Sequence, residues 1–184
     1  MTAFASPDTR NYQIGKGNIY FTPDGGERRH VGNVPECEIE LDPETLEHFS
    51  SMEGVRAKDR EVVVQQEGVV TLLLEEITPE NLALMMLSGV TEDNDEIVID
   101  IYSVAEIVGR LEFEGTNTIG PRYTFDLPRV SFRPNGASPW IGDEWNQLPI
   151  QGEILRDPEL GFGQIKLIKN ANGPSEPPSE PPTE

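Results

Sequence analysis

Residues 35–42 read PECEIELD, and this short run constrains the fold more than any other part of the chain. Glu36, Glu38, Glu40 and Asp42 alternate with Cys37, Ile39 and Leu41. Successive side chains of a strand point to opposite faces, so the run specifies a strand with one oily and one anionic face. The pattern recurs. Asp59 and Glu61 lead a second strand, Glu96, Val98 and Asp100 alternate with Ile97, Ile99 and Ile101, and Glu112 and Glu114 alternate with Leu111 and Phe113. A sheet built this way is antiparallel and covered on one face only.

Period-two patterns place strands at about 12–22, 30–41, 59–67, 69–77, 96–102, 106–115, 122–133, 145–155 and 162–169. Turn residues divide them: PDGGE at 23–27, QEGV at 66–69, EDND at 92–95 and RPNGASP at 133–139. One helix interrupts the strands at about 79–88. Thr78 is its N-cap, Pro79 opens it, Gly89 stops it, and a Leu/Met face including Leu82, Met85 and Met86 packs on the sheet. The fold class is therefore mainly β, an antiparallel sandwich or barrel with one flanking helix. A β-domain over 12–170 follows a flexible segment at 1–11. It precedes a disordered tail at 171–184, where GPSEPPSEPPTE has no aliphatic side chain to bury.

The segment 42–58, DPETLEHFSSMEGVRAK, lies between two good strands and is too long for a hairpin turn. Long connections without structure of their own tend to be functional. It carries Leu46, Phe49, Met52 and Val55, which a solvated loop does not need, so it is expected to be an inter-strand loop that finds its burial on another subunit.

The chain has 14 Lys plus Arg against 33 Asp plus Glu, a net charge of -19. Such a protein does not grip nucleic-acid phosphates or an anionic membrane. The last twelve residues hold three acids and no base, which leaves -16 (-19 plus 3) on residues 1–172. The charge belongs to the body. No apolar run is long enough for a membrane span, and Cys37 has no partner for a disulfide. Catalytic constellations are missing: the only histidines are His30 and His48, no nucleophile motif surrounds a serine, and GKG at 15–17 lacks the spacing of a phosphate-binding loop. No enzyme activity, cofactor or metal is expected.

The stretch VGNVPECEIELDPETLEHFSSMEGVRAKDREVVVQQEGVVTLLLEEITPENLALMML, residues 31–87, resembles the core of the major tail tube proteins of long-tailed, siphovirus-like bacteriophages with noncontractile tails. The order of features carries the resemblance: VGN, an alternating strand, a long segment with HFSS and GVRAKD, a β-hairpin, and the TPENLA helix. NYQIGKGNIYF at 11–21 fits the family's first strand, so the similarity covers most of 11–170. It implies a β-sandwich subunit that assembles as hexameric rings, stacked into a tube for genome ejection. It also implies assembly in the host cytoplasm, a place in the virion tail, and tape measure, terminator and distal tail proteins as partners. The long segment, with Leu46, His48, Phe49, Met52, Val55 and Arg56, would reach between rings.

A duplex roughly 20 Å wide needs a wide channel. Twenty-four strands at about 4.8 Å spacing and about 40° tilt give a backbone diameter of roughly 48 Å, which six copies contributing four strands each can supply. Acids lining that lumen would repel phosphates and deny DNA any counterion-release affinity, so the duplex slides without being held. Glu36, Glu38, Glu40, Glu61, Glu112 and Glu114 are the candidates for this lining. Other readings stay open, among them an enzyme or small-ligand β-barrel, against which the lack of a catalytic constellation counts weakly. The acids can form an ordinary solvated sheet face, or the protein can be an acidic DNA mimic that inhibits a nucleic-acid-binding enzyme.

Overall fold

The computed structural model describes residues 7–52 and 54–168. The disordered tail expected at 171–184 and most of the segment at 1–11 lie outside these residues; Thr9–Asn11 form a 3-10 turn capped by Asp8. The fold is mainly β with one helix, as the alternation predicts. Among the described residues ten strands run in order: β1 Gly17–Pro23, β2 Arg29–His30, β3 Glu36–Ser50, β4 Ala57–Leu74, β5 Thr91–Asp93, β6 Glu96–Val98, β7 Ile107–Gly115, β8 Tyr123–Pro134, β9 Leu148–Ile154 and β10 Gln164–Leu167. Helix α1, Pro79–Met86, follows β4.

Eight strands make one antiparallel sheet in the order β2-β1-β7-β8-β9-β4-β3, with β10 pairing the free half of the β8 edge beyond β9. The sheet curls. Ile39 and Leu41 of β3 line a groove together with Leu127 of β8 and Ile165 of β10, and Cys37 of β3 lines a second with Ile19 of β1, so the sheet's two ends face each other. The core fills the concave side: Ile19, Phe21, Val70, Leu72, Leu74, Leu111, Val130, Phe132, Leu148 and Ile150 form one buried cluster with Leu84 and Met85 of α1. Leu82 and Met86 pack against it while remaining partly exposed. The helix thus presents the expected Leu/Met face. It ends at Leu87, which adopts a left-handed conformation (φ 51°) and closes the helix two residues before Gly89.

A polar anchor fixes the start of α1. Thr78 accepts a hydrogen bond from the Asn81 amide, and the fully buried Asn81 side chain donates to the carbonyls of Val31 (2.7 Å) and Glu76 (2.8 Å) while accepting from Arg29 (2.7 Å). One amide group satisfies three partners from β2, its following loop and the end of β4, so helix and sheet are joined by hydrogen bonds as well as by packing.

The structure corrects four sequence expectations. Segment 42–58 is not a loop. Its first half continues β3 to Ser50 and its end opens β4 at Ala57, so it is the outer part of a long hairpin. Likewise 59–67 and 69–77 are one strand, and QEGV is not a turn. Gly68 lies mid-strand, where an added Cβ would meet Leu41 at 3.0 Å and Ile154 at 3.3 Å; close packing, rather than chain reversal, explains the glycine. The first strand also begins at Gly17 instead of Tyr12, and 96–102 shortens to Glu96–Val98, which pairs only with β5.

Replacing Asn81 with Ala strands two buried carbonyls and the Arg29 guanidinium together. Urea unfolding should show a loss of about 3 kcal/mol; a loss below about 1 kcal/mol would contradict this account of the anchor.

Candidate functional site: an acidic sheet face and a projecting arm

Cross-strand pairing carries the acid row of β3 across neighbouring strands. Directly paired residues share a face, so Glu36, Glu38 and Glu40 stand beside Leu73, Thr71 and Val69 of β4, which in turn pair with Pro149, Gln151 and Glu153 of β9. This is the outer face, because the intervening Val70, Leu72, Ile150 and Ile154 are buried in the core. Asp42, paired with Glu67, extends the row. Glu36, Glu38 and Glu40 are all exposed, and among the described residues none has an ion-pair partner.

Glu112 and Glu114 lie on the same outer face, on β7, beside Asp126 and Thr124 of β8. Their surroundings differ. Arg28 lies over the Tyr20 ring, 3.6 Å from its centre, and bonds both Glu112 (2.8 Å) and Glu114 (2.7 Å). These bonds, Glu112 first, raise the Arg28 pKa. Arg110 forms a forked pair with Asp126, and Lys166 of β10 stands beside Thr124. The β1-β7-β8 end of the face is therefore largely neutralised, and the β3-β4-β9 end keeps its charge.

Glu61 does not belong to this row. Val64 is an extra residue on β4 between the pairs Glu44 with Gln65 and Thr45 with Val63, and this bulge puts Val63 and Glu61 on the opposite face from Gln65 and Glu67. Glu61 there pairs with Glu47, and Lys58 bonds to both. Those hydrogen bonds, Glu47 before Glu61, raise the Lys58 pKa, while the bond from Lys58 and then one from Thr45 lower that of Glu61.

The hairpin β3-β4 leaves the sheet where β9 pairing ends, at Val69, and continues as two strands alone. About ten residue pairs at about 3.4 Å each make an arm roughly 30 Å long. Among the described residues little covers its apolar side chains. Leu46, Phe49, Val63 and Val64 are exposed, as are Met52 (93%) and Val55 (83%) at the tip. Arg56 and Arg60 have no ion pair among the described residues, and His48 bonds Asp59 at 2.6 Å. All six loop candidates, Leu46, His48, Phe49, Met52, Val55 and Arg56, thus fall on this arm.

The sequence alone did not reveal the contribution of Glu67 and Glu153 to the acid patch, which only strand register brings together. The exposed Trp140, Ile141 and Trp145 in the loop before β9 also went unread; their grouping in a turn-rich stretch was the available signal. Among the described residues no group of three or more His, Cys, Asp or Glu is placed to hold a metal ion, and no helix is long and apolar enough to cross a membrane. His30 lies on β2 in the body and His48 on the arm.

Cys37 packs against the core beneath the acid row. Burial, and then the neighbouring Glu38, push its thiol up to about 11. In the folded protein at pH 8 it should react with a disulfide reagent roughly a hundredfold more slowly than after denaturation; equal rates would show that the β3 edge does not stay in place.

No curated protein matches the chain. A family profile, Protein of unknown function UCP028589, matches residues 12–111 and 96–165, which together include the β1-to-β9 body and the arm. The chain belongs to this family.

Proposed function

We propose that this chain is a structural subunit that assembles into stacked rings forming the tail tube of a long-tailed bacteriophage, with its acidic sheet face lining the conduit for DNA. The observation that carries this reading is the arm. A two-stranded ribbon is marginal in water by itself, and one that exposes Leu46, Phe49, Met52 and Val55 is stable only against a partner surface. In a chain of -19, a second copy is the economical partner, because the same gene product supplies both halves of the contact.

The acid row fits the same reading. Glu36, Glu38 and Glu40 would project from a continuous inner wall built from several subunits. Screened Coulomb repulsion reaches about 8 to 10 Å at ordinary salt, comparable to the clearance around a duplex in the expected lumen. Glu112 and Glu114, held by Arg28, contribute less to that repulsion than their sequence pattern implies. The DNA-mimic reading uses the unpaired acids equally well but assigns no role to the apolar arm.

Negative-stain electron microscopy at high protein concentration and moderate salt, with mass from light scattering, tests the assembly. Hollow rings or tubes are expected. A discrete species at every concentration that titrates a DNA-binding enzyme would favour the mimic instead. Six copies carry -114 (six times -19), so stacking should weaken at low ionic strength, and salt-independent assembly by light scattering would count against the scheme.

The lumen assignment has its own test. Virions carrying Glu36→Lys, Glu38→Lys and Glu40→Lys together should assemble tubes yet eject DNA slowly, because the reversed charges gain counterion-release affinity for phosphates. Unchanged ejection and infectivity would remove these residues from the conduit wall.

A further inference from the structure

The arm and the most exposed aromatic residues of the body lie at opposite ends of the same strand. β4 begins in the arm at Ala57 and ends at Leu74, which pairs with Leu148, the first residue of β9. Immediately before Leu148 runs the loop 135–147, which joins β8 to β9. In it Trp140 (70%), Ile141 (97%) and Trp145 (91%) are exposed. Asp143 and Glu144 are exposed between them, and the loop holds no base.

The two ends differ in their unpaired charges: Glu47 and Glu61 hold Lys58 and His48 bonds Asp59, which leaves Arg56 and Arg60 at the arm end without an ion pair among the described residues. Three of the chain's 14 bases, Arg56, Lys58 and Arg60, lie within five residues at the arm end, among the acids Glu47, Glu53, Asp59 and Glu61. The other pole is acidic: besides Asp143 and Glu144, residues 89–106 carry six acids and no base. That segment is tied to the C-terminal end of α1 by the Tyr102 and Val104 amides, which donate to Met86 and Leu87, and it leads into β7 at the same end of the sheet.

We propose that the arm end of one copy, through Met52, Val55, Arg56 and Arg60, docks on the Trp140–Trp145 loop of the next copy along the tube. The inference rests on the tube reading above and specifies the receiving surface for the arm. Apolar tip meets indole rings, where a Met sulfur and an Arg guanidinium both gain from aromatic contact, and the flanking Arg and acid side chains pair at the rim. Because the two patches are different and lie at opposite poles, each contact leaves one free arm and one free loop. A head-to-tail interface between opposite poles propagates along one axis wherever its rotation does not close a ring, and propagation is what stacking requires.

Cysteine crosslinking in the full chain tests the pairing. Met52→Cys and Ile141→Cys variants, mixed under mild oxidation, should give a disulfide-linked dimer that neither gives alone. The double variant should give a ladder of higher species. Arg56→Glu with Arg60→Glu should raise the concentration needed for assembly about tenfold, and Asp143→Arg with Glu144→Arg in the same chain should restore it. These sites are exposed, so circular dichroism should find the fold of each variant intact. Normal tubes that give no mixed crosslink and tolerate the arm charge reversal would overturn this contact and leave the tube reading standing. Arm-to-arm dimers of Met52→Cys alone would also overturn it, by showing a symmetric interface. If the unmodified protein never assembles, both readings fall together.

Discussion

Apolar surface must be buried somewhere, and strand β4 shows the two ways this protein meets that requirement. Its C-terminal half puts Val70, Leu72 and Leu74 at the centre of the core, between β3 and β9 and under α1. Each such side chain contributes on the order of 1.5–3 kcal/mol by leaving water. Its N-terminal half has a single neighbour, β3, and shows Val62, Val63 and Val64 to solvent. The same strand is therefore rigid at one end and short of partners at the other. The proposed assembly depends on that asymmetry, because in it a second copy supplies the burial that the described residues of one copy do not give the arm.

Charge is distributed with a similar asymmetry. Arg28 and Arg110 neutralise acids at the β7-β8 side of the outer face, where exposed ion pairs are individually worth little but relieve like-charge repulsion. At the β3 side the acids repel one another with no ion-pair partner among the described residues. A single subunit tolerates this because the side chains are fully hydrated. A ring bringing many such edges together would concentrate the repulsion, and apolar contacts and strand-to-strand bonding along the open β3 edge would have to outweigh it.

The sheet was legible in the sequence because its strands are half-buried, and half-burial is what writes period two into a sequence. The helix was legible from Thr78 and Pro79, whose capping chemistry is local. The arm was misread as a loop for the complementary reason: strands that no core covers carry weak alternation, and the bulges at Val64 and Asp59 shift what pattern there is. Gly68 misled because glycine in a packed strand and glycine in a turn look identical in a sequence. The Arg28 bonds to Glu112 and Glu114 join residues 84 and 86 positions apart, and no local pattern records them. The acid row of Glu36, Glu38 and Glu40 was read in full, whereas its continuation to Glu153 required the β4-β9 register.

Hydrogen exchange read by mass spectrometry tests most directly the claim that the arm needs a partner. Peptides from 42–50 and 57–67 should exchange quickly in dilute protein, while 69–74 stays protected; at assembling concentrations the arm peptides should become protected as well. Arm amides that are as protected as the core in a dilute monomer would show that the hairpin is stable alone, and would contradict the account.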